Sequence, residues 1–464
     1  MVASAVLVAG CTMGADYVRP AAPTSATFRE AQGWKAAQPR DDVPRGNWWE
    51  AFGDSELNAL VQQVEISNQT LQAAEARIRQ ARATTQAARA ALFPTVSGNA
   101  AATRSGRGGN GTGAASVGSN YSVALDLNWE IDLWGRLRRT VEANDATTQA
   151  SVADLAAARL SAQALLVQDY LLLRVQDAEI QLFRDTVAGY ERSLQLTRNQ
   201  YAAGIVARGD VAQAEAQLKA TQAQALDATL QRAQFEHAIG VLTGKPPSEL
   251  TIAPRALAFV FPDIPPAFPT ELLERRPDIA ASERRVASAN ARIGVAQAAY
   301  FPALSLSAAG GFQNSIIGHL LTWPSRFWSL GPALAQTIFD AGLRDAQKAG
   351  AIASYDETVA NYRATVLNGF QEVEDSLAAL RILEEEAAVQ ADAVKAARES
   401  AAIAVNQYKA GITSYLTVVV LQASALSSER SALGIVGRRL TANVALVKAL
   451  GGGWNATVLA ATRD

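Results

Sequence analysis

The chain has 464 residues, a formal net charge of −2 and only 7% aromatic residues. This composition, rich in Ala, Gln, Arg and Glu, predicts thin layers of closely packed helices and argues against a thick globular core. The nearly neutral charge argues against nucleic-acid binding, which requires a basic surface. Cys11 is the only cysteine, so the sequence excludes intramolecular disulfides and cysteine-based zinc sites.

Cys11 ends an apolar run in the sequence Leu-Val-Ala-Gly-Cys. The pattern is typical of a bacterial lipoprotein signal, in which the cysteine is acylated after cleavage. The run is short and no basic residue precedes it, which suggests a start inside a longer signal. The alternative is a small buried cysteine in a disordered terminus. Apart from lipid on Cys11, we expect no cofactor.

Four segments show the alternation of apolar and polar residues that is typical of strands. The clearest is Tyr121 to Leu133, and weaker ones are Thr95 to Thr103, 304–309 and 328–334. One side suits lipid and the other suits water, as in a membrane barrel, although a strand of a soluble sandwich is the alternative. The polar set predicted to line a wet lumen is Asp126, Asn128, Glu130 and Asp132.

Aromatic residues lie on or near the predicted strand ends, where amphipathic rings suit the level of lipid headgroups. As an alternative, some of these rings fill gaps between strands and helices. The predicted interfacial set is Tyr121, Trp129, Trp134, Trp323, Phe327 and Trp328.

Four strands are too few to close a membrane barrel, since the smallest barrels have about eight. An open edge in lipid would leave backbone groups unpaired, so copies of the chain must share one barrel. Three copies give twelve strands and a lumen, whereas two give eight strands packed almost solid. We favour three.

Two segments of 68 residues, Arg136 to Ala203 and Leu343 to Ala410, contain no proline and predict helices about 100 Å long. Gly204 and Gly411 follow them as expected left-handed caps. Each long helix is predicted to have a return helix, at Asp210 to Leu242 and Thr417 to Leu450. The predicted helices before the strands, Ser55 to Leu92 and Thr270 to Tyr300, should continue the return helices end to end and form a tube.

An internal duplication relates the two halves, because Asn199–Ile205 returns with one change as Asn406–Ile412. A repeat this long indicates a duplicated structural unit. The predicted parts are a signal segment (1–10), an N-terminal lipid-anchored extended segment (11–54), a first repeat (55–243), a Pro-rich linker (244–269), a second repeat (270–450) and a tail (451–464).

Six short fragments along the chain occur together in a specific order and spacing. They are Cys11 to Pro20, Trp48-Trp49 with Phe52-Gly53-Asp54, Ile131 to Arg136, Arg275 to Ile279 through Phe301-Pro302, Ile338 to Asp340 with Gly342, and Leu450 to Trp454. With these fragments, the chain resembles the TolC-type outer-membrane factors, in the lipoprotein branch of OprM-like and NodT-like efflux channels. The resemblance covers essentially the whole chain.

This resemblance implies an α+β membrane protein whose long antiparallel helices form a periplasmic α-barrel. Four strands per protomer would contribute to a 12-stranded β-barrel of a homotrimer in the outer membrane. The implied partners are outer-membrane lipid, a periplasmic adaptor and an inner-membrane pump of the RND type, and the implied role is passive efflux linked to antibiotic resistance. A duct for type I protein secretion and a non-transporting trimeric coiled-coil stalk remain the alternatives.

The resemblance also implies that the turns at Gly204 and Gly411 form a periplasmic gate, with Asp210 and Tyr408 at the family's linking positions. The alternatives are a plain helix-start residue for Asp210 and a packing aromatic for Tyr408. Three positions depart from the usual basic and acidic gate residues, so we expect a less acidic gate that binds cations more weakly. These positions are Thr413, Thr417 and Val420.

No catalytic motif supports an enzyme. The two histidines, His237 and His319, are far apart and have no HExxH spacing, and there is no GxSxG motif. The glycine-rich stretch 106–118 lacks the lysine of a phosphate-binding loop, so we expect an external loop between two strands.

Overall fold

The computed structural model describes residues 12–23, 27–31, 47–108, 116–257 and 275–454. Their elements repeat in one order, helix, two strands, long helix and return helix, as the duplication predicts. This order confirms the α+β class. The main elements are α1 (Ser55–Ser67), α2 (Gln69–Ala90), β1 (Thr95–Arg107), β2 (Ser116–Ile131), α3 (Arg136–Ala202), α4 (Arg208–Leu242), α5 (Pro277–Ala298), β3 (Ala303–Asn314), β4 (Arg326–Ala335), α6 (Leu343–Lys409) and α7 (Tyr415–Ala449).

The long helices α3 and α6 each have 67 residues, within one residue of the predicted ends. α3 contains a stretch with mean hydropathy 1.3, apolar enough by length and composition to cross a membrane. Leu166, Val167 and Leu171 of this helix are nevertheless fully buried in a core cluster of the chain. Of the apolar stretch as a whole, 39% is buried. A single helix that passes this test of length and composition is weak support for a membrane helix.

The helix predicted from Ser55 to Leu92 is two helices, a correction that Asn68 explains. Asn68 has extended backbone angles (φ −66°, ψ 119°) and ends α1. Its side-chain oxygen accepts hydrogen bonds from the backbone N–H groups of Thr70 and Leu71, which caps the start of α2. Asn68 therefore ends one helix and begins the next.

The end of α4 meets the start of α2, as the end-to-end prediction requires. The Asn68 amide donates to the carbonyl oxygen of Leu242 at 2.8 Å, and the Ser67 hydroxyl donates to that of Thr243 at 2.6 Å. In the second repeat, the Arg276 guanidinium donates to the carbonyl oxygen of Ala449, the last residue of α7, at 3.1 Å. Both joins thus satisfy carbonyl groups that a helix end leaves free.

The helix predicted from Thr270 to Tyr300 is described from residue 275 onward, and its regular part α5 spans Pro277–Ala298. Pro277 occupies the first helical position. Its missing N–H group costs no hydrogen bond there, because the start of a helix leaves this group unpaired. Most of the predicted Pro-rich linker lies outside the described residues.

The chain divides into two compact units. The first comprises residues 1–22, 76–152 and 281–364 and contains the whole sheet, in the antiparallel order β1-β2-β3-β4. Its N-terminal segment is bound by Arg139, whose guanidinium donates to the carbonyl oxygens of Met13 and Gly14 at 3.1 and 3.0 Å. The four predicted strand segments are confirmed as strands, although most of their ends differ from the prediction.

The second unit comprises residues 23–75, 153–280 and 365–464. Its largest core cluster joins a short 3-10 helix at Trp48–Phe52 to α1, α3, α4 and α7. Three residues that contribute to this cluster, Val61, Ile239 and Val444, are 0% exposed. The tryptophan pair that carries part of the family resemblance therefore packs in a core.

Asp169 of α3 should make the stability of the chain depend on pH, because burial raises the pKa of its carboxyl to about 6. The usual value is about 3.9, so the folded chain favours the protonated form and loses stability as pH rises through 6. We expect Asp169→Asn to melt increasingly above the parent as pH rises from about 4 to about 7. Thermal melts of both proteins across this range test it, and a constant difference would contradict it.

Candidate functional site

The sheet has one apolar side, and its register assigns each residue to a side. Leu127 of β2 pairs with Val96 of β1 and Ala308 of β3, and Ala308 pairs with Leu330 of β4. Exposed fractions of 65% for Val96 and Leu330 show that no part of the described chain covers this row. An exposed apolar face of this extent suits contact with lipid.

The polar side carries two of the predicted lumen carboxylates in β2. Asp126 accepts a hydrogen bond from the side-chain amide of Asn99, and Glu130 forms an ion pair with Arg136 at 2.6 Å. Asn128 lies between them on the same side, in a row with Ser307. The polar partners show that these side chains share a hydrophilic face, while their role as lumen residues stays a prediction.

Asp132 lies beyond the strand, because β2 ends at Ile131, so its assignment to a strand was wrong. Its carboxylate accepts hydrogen bonds from the backbone N–H groups of Leu137 and Arg138, at 3.1 and 2.9 Å. Asp132 therefore caps the start of α3, where a negative charge suits the positive helix end.

Aromatic residues mark the end of the sheet next to the helices, here called the helix end. The Trp129 indole donates to the carbonyl oxygen of Leu92 at 2.9 Å. The Trp134 indole donates to the carbonyl oxygen of Pro302 at 2.8 Å. The Trp134 ring stacks on Phe301 with centroids 4.7 Å apart. Phe301 and two further exposed residues at this end, Phe93 (68%) and Phe339 (86%), are absent from the predicted interfacial set, although all three lie near predicted strand ends.

The opposite end of the sheet, where β1 turns into β2 and β3 into β4, is here called the hairpin end. Tyr121 lies on the apolar side, opposite Ala102. Trp328 also lies on the apolar side, and 79% of its surface is exposed. Phe327 is a correction to the interfacial set, because alternation in β4 puts it on the polar side, opposite Gly311. Trp323 precedes β4 in a short 3-10 turn and is 71% exposed.

Gly204 and Gly411 close the long helices as predicted, with φ of 74° and 73°. After Gly204, the backbone N–H of Ile205 donates to the carbonyl oxygen of Gln200 at 2.9 Å. After Gly411, the backbone N–H of Ile412 donates to the carbonyl oxygen of Gln407, also at 2.9 Å. This pattern is a Schellman motif, which requires a left-handed residue that glycine adopts without strain.

Tyr408 packs beside these turns, and its hydroxyl contacts the hydroxyl of Thr197 at 3.3 Å. No hydrogen bond joins Tyr408 to Asp210 within the part of the chain described here, so a direct link between them is not seen in the single chain. Burial raises the pKa of Tyr408, and the nearby charge of Asp210 raises it further. The Tyr408 ring also packs edge-on against Tyr415, at 5.2 Å between centroids.

The three positions that depart from the family pattern lie at the start of α7 and just before it. Thr413 lies in the turn, and Thr417 contacts the hydroxyl of Ser414 at 3.3 Å, where α7 begins. Val420 is 57% exposed, and so is its neighbour Leu416, at 58%. These side chains present hydroxyl and apolar groups at the places where the resemblance implies one basic residue, at Thr413, and two acidic residues, at Thr417 and Val420.

Cys11 lies outside the described residues, but its neighbour Thr12 is placed. Thr12 packs against Gly135, and the N–H of Met13 donates to the carbonyl oxygen of Trp134 at 3.0 Å. The segment that follows Cys11 thus begins at the helix end of the sheet.

Comparison with known proteins places this geometry in one family. The family described as "Outer membrane efflux protein" matches the chain twice, over residues 60–245 and 268–452, in agreement with the duplication. The probable efflux pump outer membrane protein TtgC of Pseudomonas putida is 31% identical, over 97% of this chain and 94% of the relative. The pyoverdine export outer membrane protein OpmQ of Pseudomonas aeruginosa is 30% identical, over 97% and 96%.

A solved structure supports the same assignment. The outer-membrane channel OprN superposes with a TM-score of 0.89 at 33% identity, covering 96% of this chain and 100% of that one. Because the family match, the relatives and the solved structure agree over nearly the whole length, the chain belongs to the outer membrane efflux protein family.

Proposed function

We propose that three copies of this chain form the passive outer-membrane duct of a tripartite efflux system. The observation that carries the proposal is the four-stranded sheet, in which β1 and β4 pair on one side only among the described residues. Its exposed apolar side suits lipid, where unpaired strand edges would cost several kcal/mol per group. Joining β4 of one copy to β1 of the next satisfies both edges, and three copies supply twelve strands.

The duct would take cargo from an inner-membrane pump of the RND type through a periplasmic adaptor. The names of the relatives support export, and one of them refers to a single cargo, pyoverdine. A channel without a catalytic site supplies no energy, so selectivity would come largely from the pump.

Dye efflux in a strain that lacks its own outer-membrane channel tests this function. We expect the chain to restore efflux only when the pump and adaptor are also present, and to purify in mild detergent with the mass of a trimer. The matched control strain lacks the pump alone. A monomer, or efflux that does not require the pump, would overturn the proposal.

We further propose that Cys11 is acylated and that its chains enter the membrane at the helix end of the sheet. The support is the neighbouring segment, because Thr12 and Met13 pack beside Trp134 and Gly135. Several acyl chains on one residue would hold the terminus firmly in a bilayer. Mass spectrometry of the N-terminal peptide should show acylation at Cys11 and lose it in Cys11→Ser; an unmodified cysteine in the parent would contradict the proposal.

The turns at Gly204 and Gly411 are proposed as the periplasmic gate, narrowed by apolar groups such as Val420. We expect Val420→Asp to raise the selectivity of the open channel for cations, because three copies would add a ring of negative charge. The side chain is 57% exposed, so the substitution should not disturb a core. Reversal potentials in planar bilayers under a salt gradient measure the effect, with Val420→Asn as the uncharged control; equal values for all three proteins would argue against a gate at this position.

A further inference from the structure

The hairpin end of the sheet contains basic residues and, within the part of the chain that the structure describes, no carboxylate. The described stretches 99–108, 116–125 and 308–330, which lie remote from the helices, contain three arginines, one histidine and no Asp or Glu. Asp126 and Glu130, the carboxylates of β2, lie nearer the helix end. An anionic partner at the hairpin end would therefore meet attraction without local repulsion.

Arg326 lies at this end on the apolar side. It begins β4 and pairs with Phe312, which pairs with Val123 in the apolar row of β2. Its guanidinium carbon lies 3.8 Å from the centroid of the Trp323 ring. Among the described residues no carboxylate pairs with Arg326, so its hydrogen-bond donors remain available.

The turn before β4 holds Trp323 in place. Ser325 is only 6% exposed, and its hydroxyl donates to the carbonyl oxygen of His319 at 2.8 Å and accepts from the Asn314 amide at 2.6 Å. The Thr322 hydroxyl donates to the same carbonyl oxygen at 2.7 Å. The turn that carries the Trp323 ring is therefore preorganised by these hydrogen bonds. The side chains of Trp323 and Arg326 take no part in them.

We propose that Arg326, supported by Trp323, binds the phosphate of an anionic lipid in the outer leaflet of the outer membrane. This inference rests on the proposed function, in which the helices lie in the periplasm. The helix end of the sheet then faces the periplasm, and the hairpin end faces the outside of the cell. A planar guanidinium matches phosphate oxygens with two parallel hydrogen bonds, and an indole ring suits the headgroup level. Trp328 and Leu330 follow Arg326 on the same side, 79% and 65% exposed, where acyl chains would lie.

Lipid binding to the detergent-purified, full-length protein tests the site. Native mass spectrometry would compare bisphosphorylated lipid A, the same lipid without its phosphates, and inorganic phosphate. We expect Arg326→Ala to weaken binding of the phosphorylated lipid by about ten-fold or more, because a charge-assisted hydrogen bond is lost. Binding of the dephosphorylated lipid should not change, and Arg326→Lys should fall between, because an ammonium stacks less well on a ring.

Arg79→Ala is the matched control, since it removes the same charge from an exposed position of α2, outside the sheet. It should leave binding of both lipids unchanged. The proposal fails if Arg326→Ala binds phosphorylated lipid A like the parent, if it loses both lipids equally, or if inorganic phosphate binds as tightly as the lipid. Retained dye efflux alongside such a failure would leave the channel function standing and remove the phosphate site alone.

Discussion

Gly451→Ala is expected to lower the free energy of unfolding by about 3 kcal/mol or more. A Cβ atom at Gly451 would lie 2.0 Å from the carbonyl oxygen of Arg275, and the residue has φ of +89°, which costs an L-residue further energy. Gly451 cannot easily move away, because its N–H donates to the carbonyl oxygen of Lys448 at 3.0 Å. Gly244 occupies the same place in the first repeat, with a Cβ position 2.2 Å from the carbonyl oxygen of Ser67, and should behave alike.

Gly411→Ala is the matched control, because Gly411 has φ of +73° and no atom within 4 Å of its Cβ position. It should cost only the left-handed backbone penalty, about 1–2 kcal/mol. Urea unfolding followed by circular dichroism at a helix wavelength measures both variants. Similar losses for Gly411→Ala and Gly451→Ala would show that the close approach to Arg275 contributes nothing.

The long helices and their ends could be predicted because the signals are local in sequence. A proline-free run ending in glycine is sufficient for a helix with a left-handed cap, and α3 and α6 end within one residue of prediction. The strand β2 likewise follows from its alternating residues. The family-level function followed from the order of short fragments along the whole chain, and the two family matches, over residues 60–245 and 268–452, agree with it.

The break at Asn68 was not predicted, because asparagine within a helical pattern is tolerated and its local signal, a side chain that caps the next helix, is weak. Its other contact, with the carbonyl oxygen of Leu242, lies 174 positions away and has no signal in the local sequence. The same limit applies to Tyr408, whose hydroxyl meets Thr197 across 211 positions. Asp132 was misassigned because it continues the alternating pattern of β2. At the end of a strand, a carboxylate that faces water and one that caps the next helix occupy the same place in this pattern.

A buried ion-pair network at Arg174 also escaped the sequence analysis, since single charges in a long helix normally face solvent. The Arg174 side chain is 2% exposed. Its guanidinium donates to Asp177 at 2.9 Å, to Glu56 at 2.7 Å and to the carbonyl oxygen of Ala253 at 2.7 Å. These contacts join α1, α3 and the segment after α4 within the second unit.

Arg174→Met is therefore expected to lower the free energy of unfolding by about 3–5 kcal/mol, because it leaves buried acceptors without their donor. Arg89→Met is the matched control: its ion pair with Asp145 is 56% and 36% exposed, and such pairs contribute about 1 kcal/mol or less. Urea unfolding of both variants measures the difference. Adding Asp177→Asn should recover part of the loss, because it neutralises a carboxylate that is 2% exposed and that then keeps only its bonds to the Arg232 guanidinium and the backbone N–H of Arg255. If Arg174→Met cost no more than Arg89→Met, the buried network would be energetically equivalent to a surface pair, and the rigidity of this unit would have to come from its apolar core alone.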